Sequence, residues 1–177
     1  MSGHNKWSKV KHKKAATDAV KSKVFTKLIR LISVEAKKAG GNTESPGLKA
    51  AIGKAREANM PNDNIERAIK KAANDTGPKM EKVIYEAYGP GGVAVIIEGL
   101  TDNNNRTAAE IRHLLAKNNL ELAQAGSALW AFTKTADLWQ PKVTIDLSPE
   151  EKDQLLKLTE DLEDNDDVQS VFTNAAE

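Results

Sequence analysis

Apolar residues recur at helical spacing through the first seventy-odd positions of this chain and at strand spacing soon after residue 78. From Ala15 to Lys38, Phe25, Leu28, Ile29, Ile32 and Ala36 fall at i, i+3, i+4, i+7 and i+11, the inward stripe of one helix. Gly40 and Gly41 stop it. A second helix is predicted from Ser45 as N-cap and Pro46 at the first helical position to about Asn59, with Leu48, Ala51, Ile52 and Ala55 inward. Met60-Pro61 forces a turn. Asp63 and Glu66 have capping-box spacing for a third helix that buries Ile65, Ala68, Ile69 and Ala72, and Gly77-Pro78 closes the region.

Beyond Pro78 the pattern predicts strands at Val83 to Tyr88 and Val93 to Glu98, joined through Gly89-Pro90-Gly91-Gly92 as a tight hairpin. Thr107 and Glu110 are placed to cap a helix burying Ile111, Leu114 and Leu115. Strands are expected around Ala128 to Phe132 and Lys142 to Asp146. Ser148-Pro149-Glu150-Glu151 opens a helix with Leu155, Leu158, Thr159 and Leu162 inward, and Val168 to Phe172 is the last strand. The expected fold is α+β. A basic arm over 1–14 precedes a basic three-helix domain over 15–78, and 79–177 form a ferredoxin-like β-α-β-β-α-β domain with an extra N-terminal hairpin strand.

Charge divides along the same line. Residues 1–80 carry 18 Lys and Arg against 7 Asp and Glu, and residues 81–177 carry 8 against 18, so a net +1 conceals halves of +11 and −10. Salt screens exposed charges beyond about 8 Å at physiological ionic strength, so the acidic half leaves the basic half cationic to an approaching polyanion. With no cysteine, disulfides, thiol catalysis and cysteine-ligated zinc are excluded. No apolar run reaches the roughly 20 residues of a membrane span, no signal-peptide stretch is seen, and the cytoplasm is the expected location.

The candidate nucleic-acid contacts are Lys6, Trp7, Lys9, Lys11, His12, Lys13 and Lys14 in the arm. Lys23, Lys27 and Arg30 lie opposite the apolar stripe of the first helix, and Arg67, Lys70 and Lys71 on the outward side of the third. These cations neutralise phosphates and release counterions, unless they are simply a solvated lysine surface. Trp7 either stacks on an unpaired base or packs on the helical domain. Asn103, Asn105 and Arg106, before a helix N-terminus, are a second candidate contact, although capping accounts for part of that cluster. The second and third helices resemble a helix-turn-helix only weakly.

Other motifs carry no chemistry. Gly89-Pro90-Gly91-Gly92 lacks the Walker spacing and the following Lys-Ser or Lys-Thr. The acidic run Glu160, Asp161, Glu163, Asp164, Asp166 and Asp167 lacks EF-hand spacing and reads as solvated. His4, His12 and His113 make no triad or ligand set. No enzyme activity, cofactor or metal is expected.

Several segments together resemble one family: Gly3-His4-Asn5-Lys6-Trp7, Phe25-Thr26-Lys27-Leu28-Ile29-Arg30, Asn59-Met60-Pro61, Ile65-Glu66-Arg67-Ala68-Ile69, Tyr88-Gly89-Pro90-Gly91-Gly92-Val93-Ala94, Leu100-Thr101-Asp102-Asn103 and Asp166-Asp167-Val168-Gln169. In order and from end to end they resemble the YebC/PmpR family. That resemblance implies a transcriptional regulator that binds DNA or, alternatively, a translational activator that contacts ribosomal RNA, with the acidic domain turned to the ribosome, another protein or solvent. It also implies a missing piece. Typical members carry a further α/β subdomain where this chain has only Thr133 to Pro141, and a hairpin there closes the gap without breaking the core.

Overall fold

The computed structural model describes residues 18–136 and 138–177. They divide into two compact units between Glu81 and Lys82. The arm over 1–14 lies outside the described residues.

The first unit holds α1 (Asp18–Lys38), α2 (Pro46–Glu57) and α3 (Asn62–Ala73), with α1 packed against both shorter helices. Ile32 and Ala36 of α1 meet Leu48, Ala51, Ile52 and Ala55 of α2 and Ile65, Ala68 and Ala72 of α3 in one core, closed by Met60. Ile29 departs from expectation and is 37% exposed. At 1.5 Å per residue the 21-residue α1 outruns two 12-residue partners, so cover fails toward its N-terminus. Phe25, Leu28 and Ile69 are only partly buried.

Helix ends follow local chemistry. Gly41, at φ +81, donates its N–H to the Ala36 carbonyl at 2.9 Å and closes α1. Asn59, at φ +59, lets Met60 donate likewise to Ala55 at 2.9 Å and closes α2. The predicted Asp63 cap is corrected. Pro61 occupies the N-cap position of α3 in extended geometry, and its carbonyl accepts from Asn64 and Ile65 at 3.0 and 3.3 Å. The helix thus begins at Asn62, and Asp63 sits inside its first turn.

The second unit contains β1 (Glu81–Tyr88), β2 (Ala94–Thr101), α4 (Asn104–Lys117), β3 (Phe132–Thr135), β4 (Leu138–Pro141), α5 (Pro149–Glu163) and β5 (Val168–Thr173). From β2 onward this is the β-α-β-β-α-β order, with β1 as the extra hairpin strand, and the fold is α+β. Strands β1, β2 and β5 make one sheet in that order, while β3 and β4 pair antiparallel in a separate ribbon. Strand β5 lies antiparallel to β2 from Val95↔Thr173 to Gly99↔Val168, with a bulge at Glu98/Gly99. A Cβ at Gly99 would come 2.8 Å from the Asp167 carbonyl oxygen, so only glycine admits that approach.

Alternation sorts the sheet's two faces. Tyr85, Ala87, Val95, Ile97 and Val171 point to Ile111 and Leu115 of α4 and Leu155, Leu158 and Leu162 of α5. Ala94, Ile96 and Phe172 point the other way and are covered by Ala128, Ala131, Phe132, Leu129 and Trp139. The middle strands are displaced from their predicted places. Residues Leu129–Ala131 form a 3₁₀ turn, the strand starts at Phe132, and its partner is Leu138–Pro141 instead of Lys142 to Asp146. In the latter stretch only Ile145 bridges, parallel to Ala175. The cause is a tether from outside the segment. Glu86, 4% exposed on β1, accepts from the backbone N–H groups of Gly126, Ala128 and Leu129 at 2.5, 2.7 and 3.0 Å and bends the chain before a strand begins. Helix α5 opens at Ser148-Pro149 as expected, and the structure adds a capping box there, from Glu151 N to Ser148 Oγ at 3.3 Å and from Ser148 N to Glu151 Oε2 at 2.8 Å.

Candidate nucleic-acid interface

The predicted basic contacts separate into three sets. Lys6, Trp7, Lys9, Lys11, His12, Lys13 and Lys14 lie outside the described residues. On α1, Lys23 is exposed, but Lys27 and Arg30 are half-buried, and Val34, one further turn along that side, is 7% exposed. The side of α1 opposite its core stripe is therefore not a continuous solvent-facing band. At its end Lys37 donates from Nζ to the Gly77 carbonyl at 3.1 Å, and Lys38 pairs with Glu35 at 3.1 Å.

On α3 the cations are presented cleanly. With Ile65, Ala68 and Ala72 inward, Arg67, Lys70 and Lys71 at i, i+3 and i+4 share an exposed face. Lys70 and Lys71 lie in the last turn, where positive charge also complements the helix dipole. Sequence reasoning passed over α2, which adds Lys49, Lys54 and Arg56 to the exposed surface of this unit. The signal was present. The four inward residues of α2 fix its wheel and leave these cations outward. Lys49 approaches Glu44 at 3.5 Å with both side chains largely solvated, a pairing that restrains little.

The second candidate, before α4, is built differently. Asn103 is the N-cap, its Oδ1 accepting from Arg106 N at 3.1 Å, so the cap falls four residues before the predicted Thr107. Arg106 donates from Nη2 to Asp102 and to Asp167, each at 2.9 Å. Hydrogen bonding to Asp167, then to Asp102, raises the guanidinium's pKa above its ordinary value. Thr107 Oγ1 donates to the same Asp167 oxygen at 2.7 Å and lies 2.8 Å from Thr101 Oγ1. Asp167 is 3% exposed, so the reading of the acidic run as solvated fails at this position. Tyr85 donates from its hydroxyl to Asn104 Oδ1 at 2.6 Å, and its phenol is raised above the ordinary 10.0, first by burial and then by the negative charge of Asp167. Asn103 is thus employed in capping α4, and Arg106 and Thr107 in holding it to Asp167 at the start of β5. Asn105 is exposed beside them.

The glycine-rich stretch is a turn. Gly89 donates to the Val93 carbonyl at 2.8 Å, and Gly91 and Gly92 sit at φ +65 and +79. A Cβ on Gly91 would fall 2.4 Å from Leu147 Cδ2. Among the described residues no group of three or more His, Cys, Asp or Glu is placed to hold a metal ion, and no helix is long and apolar enough to cross a membrane.

The two units correspond to two family models. Residues 5–75 match one described as the TACO1/YebC protein N-terminal domain, and residues 80–138 and 134–175 match the TACO1/YebC second and third domain. A protein of Fervidobacterium nodosum named "Probable transcriptional regulatory protein" is 42% identical over 235 residues, covering 98% of this chain and 93% of its own. One of the same name from Thermotoga maritima is 48% identical over 183 residues, covering 98% and 70%. The crystal structure of a conserved hypothetical protein from Aquifex aeolicus superimposes with a TM-score of 0.81 at 32% identity, covering 90% of this chain and 91% of that one. The alignment with the Fervidobacterium protein runs longer than this chain, so that relative holds extra residues inside the matched span. The two pieces of the second match overlap at 134–138, which spans the tip of the β3–β4 ribbon. The names of these relatives indicate a regulatory role, and the chain belongs to the TACO1/YebC family, in a shortened form.

Proposed function

We propose that this protein is a non-enzymatic nucleic-acid-binding regulator of gene expression whose phosphate contacts come from the helical unit and the arm that precedes it. The observation that carries the reading is the exposed face of α3, where Arg67, Lys70 and Lys71 project from the side of the helix opposite its buried Ile65, Ala68 and Ala72. Lys23, Lys27 and Arg30 of α1 and the arm residues Lys6, Trp7, Lys9, Lys11, His12, Lys13 and Lys14 extend the positive surface. Asn103, Asn105 and Arg106 rank behind them, because Arg106 is already engaged by two carboxylates.

Binding of this kind weakens steeply with salt, with a slope of about −0.9 per phosphate contacted on duplex DNA. The test measures affinity for duplex DNA and for ribosomal RNA fragments against salt, with the native chain and with Arg67→Glu/Lys70→Glu/Lys71→Glu. A shallower slope in the variant supports the reading, and identical slopes overturn it. In-cell crosslinking with sequencing of bound DNA and RNA separates promoter control from action at the ribosome.

A further inference from the structure

The acidic unit carries an aromatic surface that the basic face does not explain. Strand β1 leaves Ile84 and Tyr88 at solvent, 43% and 37% exposed, on the face turned away from α4 and α5. The 3₁₀ turn at 129–131 adds Trp130, the most exposed large apolar side chain described, at 59%. Its placement is fixed. The indole Nε1 donates to the Tyr88 hydroxyl oxygen at 3.1 Å, and that hydroxyl donates to the Ser127 carbonyl. The ring's one polar edge is therefore satisfied within the protein, and an orientation set before binding spares a ligand the cost of ordering it.

A carboxylate is anchored to the backbone next to this residue. Glu86, two residues before Tyr88 on the same face of β1, is 4% exposed and held by three backbone N–H groups, one of them from Leu129 beside Trp130. No ion pair to it forms among the described residues. Amide dipoles stabilise the carboxylate without cancelling its charge. An indole in an anionic neighbourhood attracts a cation twice over, through its ring quadrupole and through the surrounding negative field. A nucleobase stacks on indole as well, but it brings a phosphate toward Glu86 and toward a region of net −10.

We infer that Trp130 and Tyr88 form a docking platform for an arginine-bearing segment of a partner protein. The guanidinium lies flat on the indole face, as its planar, weakly hydrated shape favours over an ammonium. Lys142, just past the end of β4, whose N–H bonds the Ala131 carbonyl at 2.8 Å, is an exposed cation whose positive charge opposes the incoming one.

The test titrates the full chain with a capped, labelled Arg-Gly repeat peptide, with its Lys-Gly and Glu-Gly counterparts and with oligouridylate. Arg-Gly binding is expected to be the tightest of the peptides and to weaken about threefold to thirtyfold in Trp130→Ala. It should weaken less in Trp130→Phe, which keeps an aromatic face should the alanine variant unfold, and it should tighten in Lys142→Ala. Equal Arg-Gly affinity in the native and both Trp130 variants overturns the proposal. So does a loss at Trp130 confined to oligouridylate, which makes the surface a base-stacking one.

Discussion

The helical unit and the α+β unit spend their charged side chains in opposite ways. In the first, the interior is wholly apolar, and Arg67, Lys70, Lys71, Lys49 and Arg56 stand in solvent where their removal leaves the core untouched. In the second, two carboxylates lie inside, Glu86 fastening the 126–129 bend and Asp167 fastening the start of α4. Exposed charge is available to a ligand, whereas buried charge must be satisfied internally and so becomes architecture. A count of +11 against −10 does not reveal this difference.

Mutation can break the comparison at either end. The largest effect is expected at Glu86→Ala, which strands three backbone donors and should cost about 3 kcal/mol or more, read as a lowered urea midpoint. A loss under about 1 kcal/mol would show that water replaces the carboxylate. Asp167→Ala follows at about 2–3 kcal/mol, since Thr107, fully buried, loses an acceptor. Nucleic-acid affinity measured at a temperature where both variants stay folded should match the native chain.

Tyr85→Phe is smaller, about 1 kcal/mol for the hydrogen bond to Asn104. It also has a pH signature. The phenol's folded pKa lies above the unfolded 10.0, so the folded state holds its proton longer. The resulting stability is complete below pH 10 and is lost as pH rises from there through the folded value. Alkaline denaturation should show that component in the native chain and lack it in Tyr85→Phe. The smallest stability effect belongs to Arg67→Glu/Lys70→Glu, within about 0.5 kcal/mol per site by thermal melting, although these variants should alter polyanion binding most.

What could be read in advance was local. The start of α5 at Ser148-Pro149 and the turn at Gly89 to Val93 depend on neighbours a few residues away, and both stand where expected. The inward residues of α2 were legible because a 12-residue helix lying against a longer one is covered throughout. Ile29 was misread because period alone does not say where a partner helix ends. The strands around β3 and β4 shifted because Glu86, some forty residues earlier, decides where the chain bends. Asp167 looked like one more solvated acid. Its burial follows from Gly99, whose missing side chain lets the backbone at 167 close on β2, with Leu100 N bonded to the Asp167 carbonyl at 2.8 Å.

The β3–β4 ribbon has a consequence for how such proteins are assembled. Thr135 and Leu138 face one another at its tip, so the chain leaves the unit and returns to it at neighbouring points, about 5 Å apart as in any antiparallel pair. That tip works as a socket. Extra residues that begin and end at that tip, as a relative with more residues inside the matched span requires, need only bring their own two ends together, and the Lys134↔Trp139 pairing below does not stand in their way.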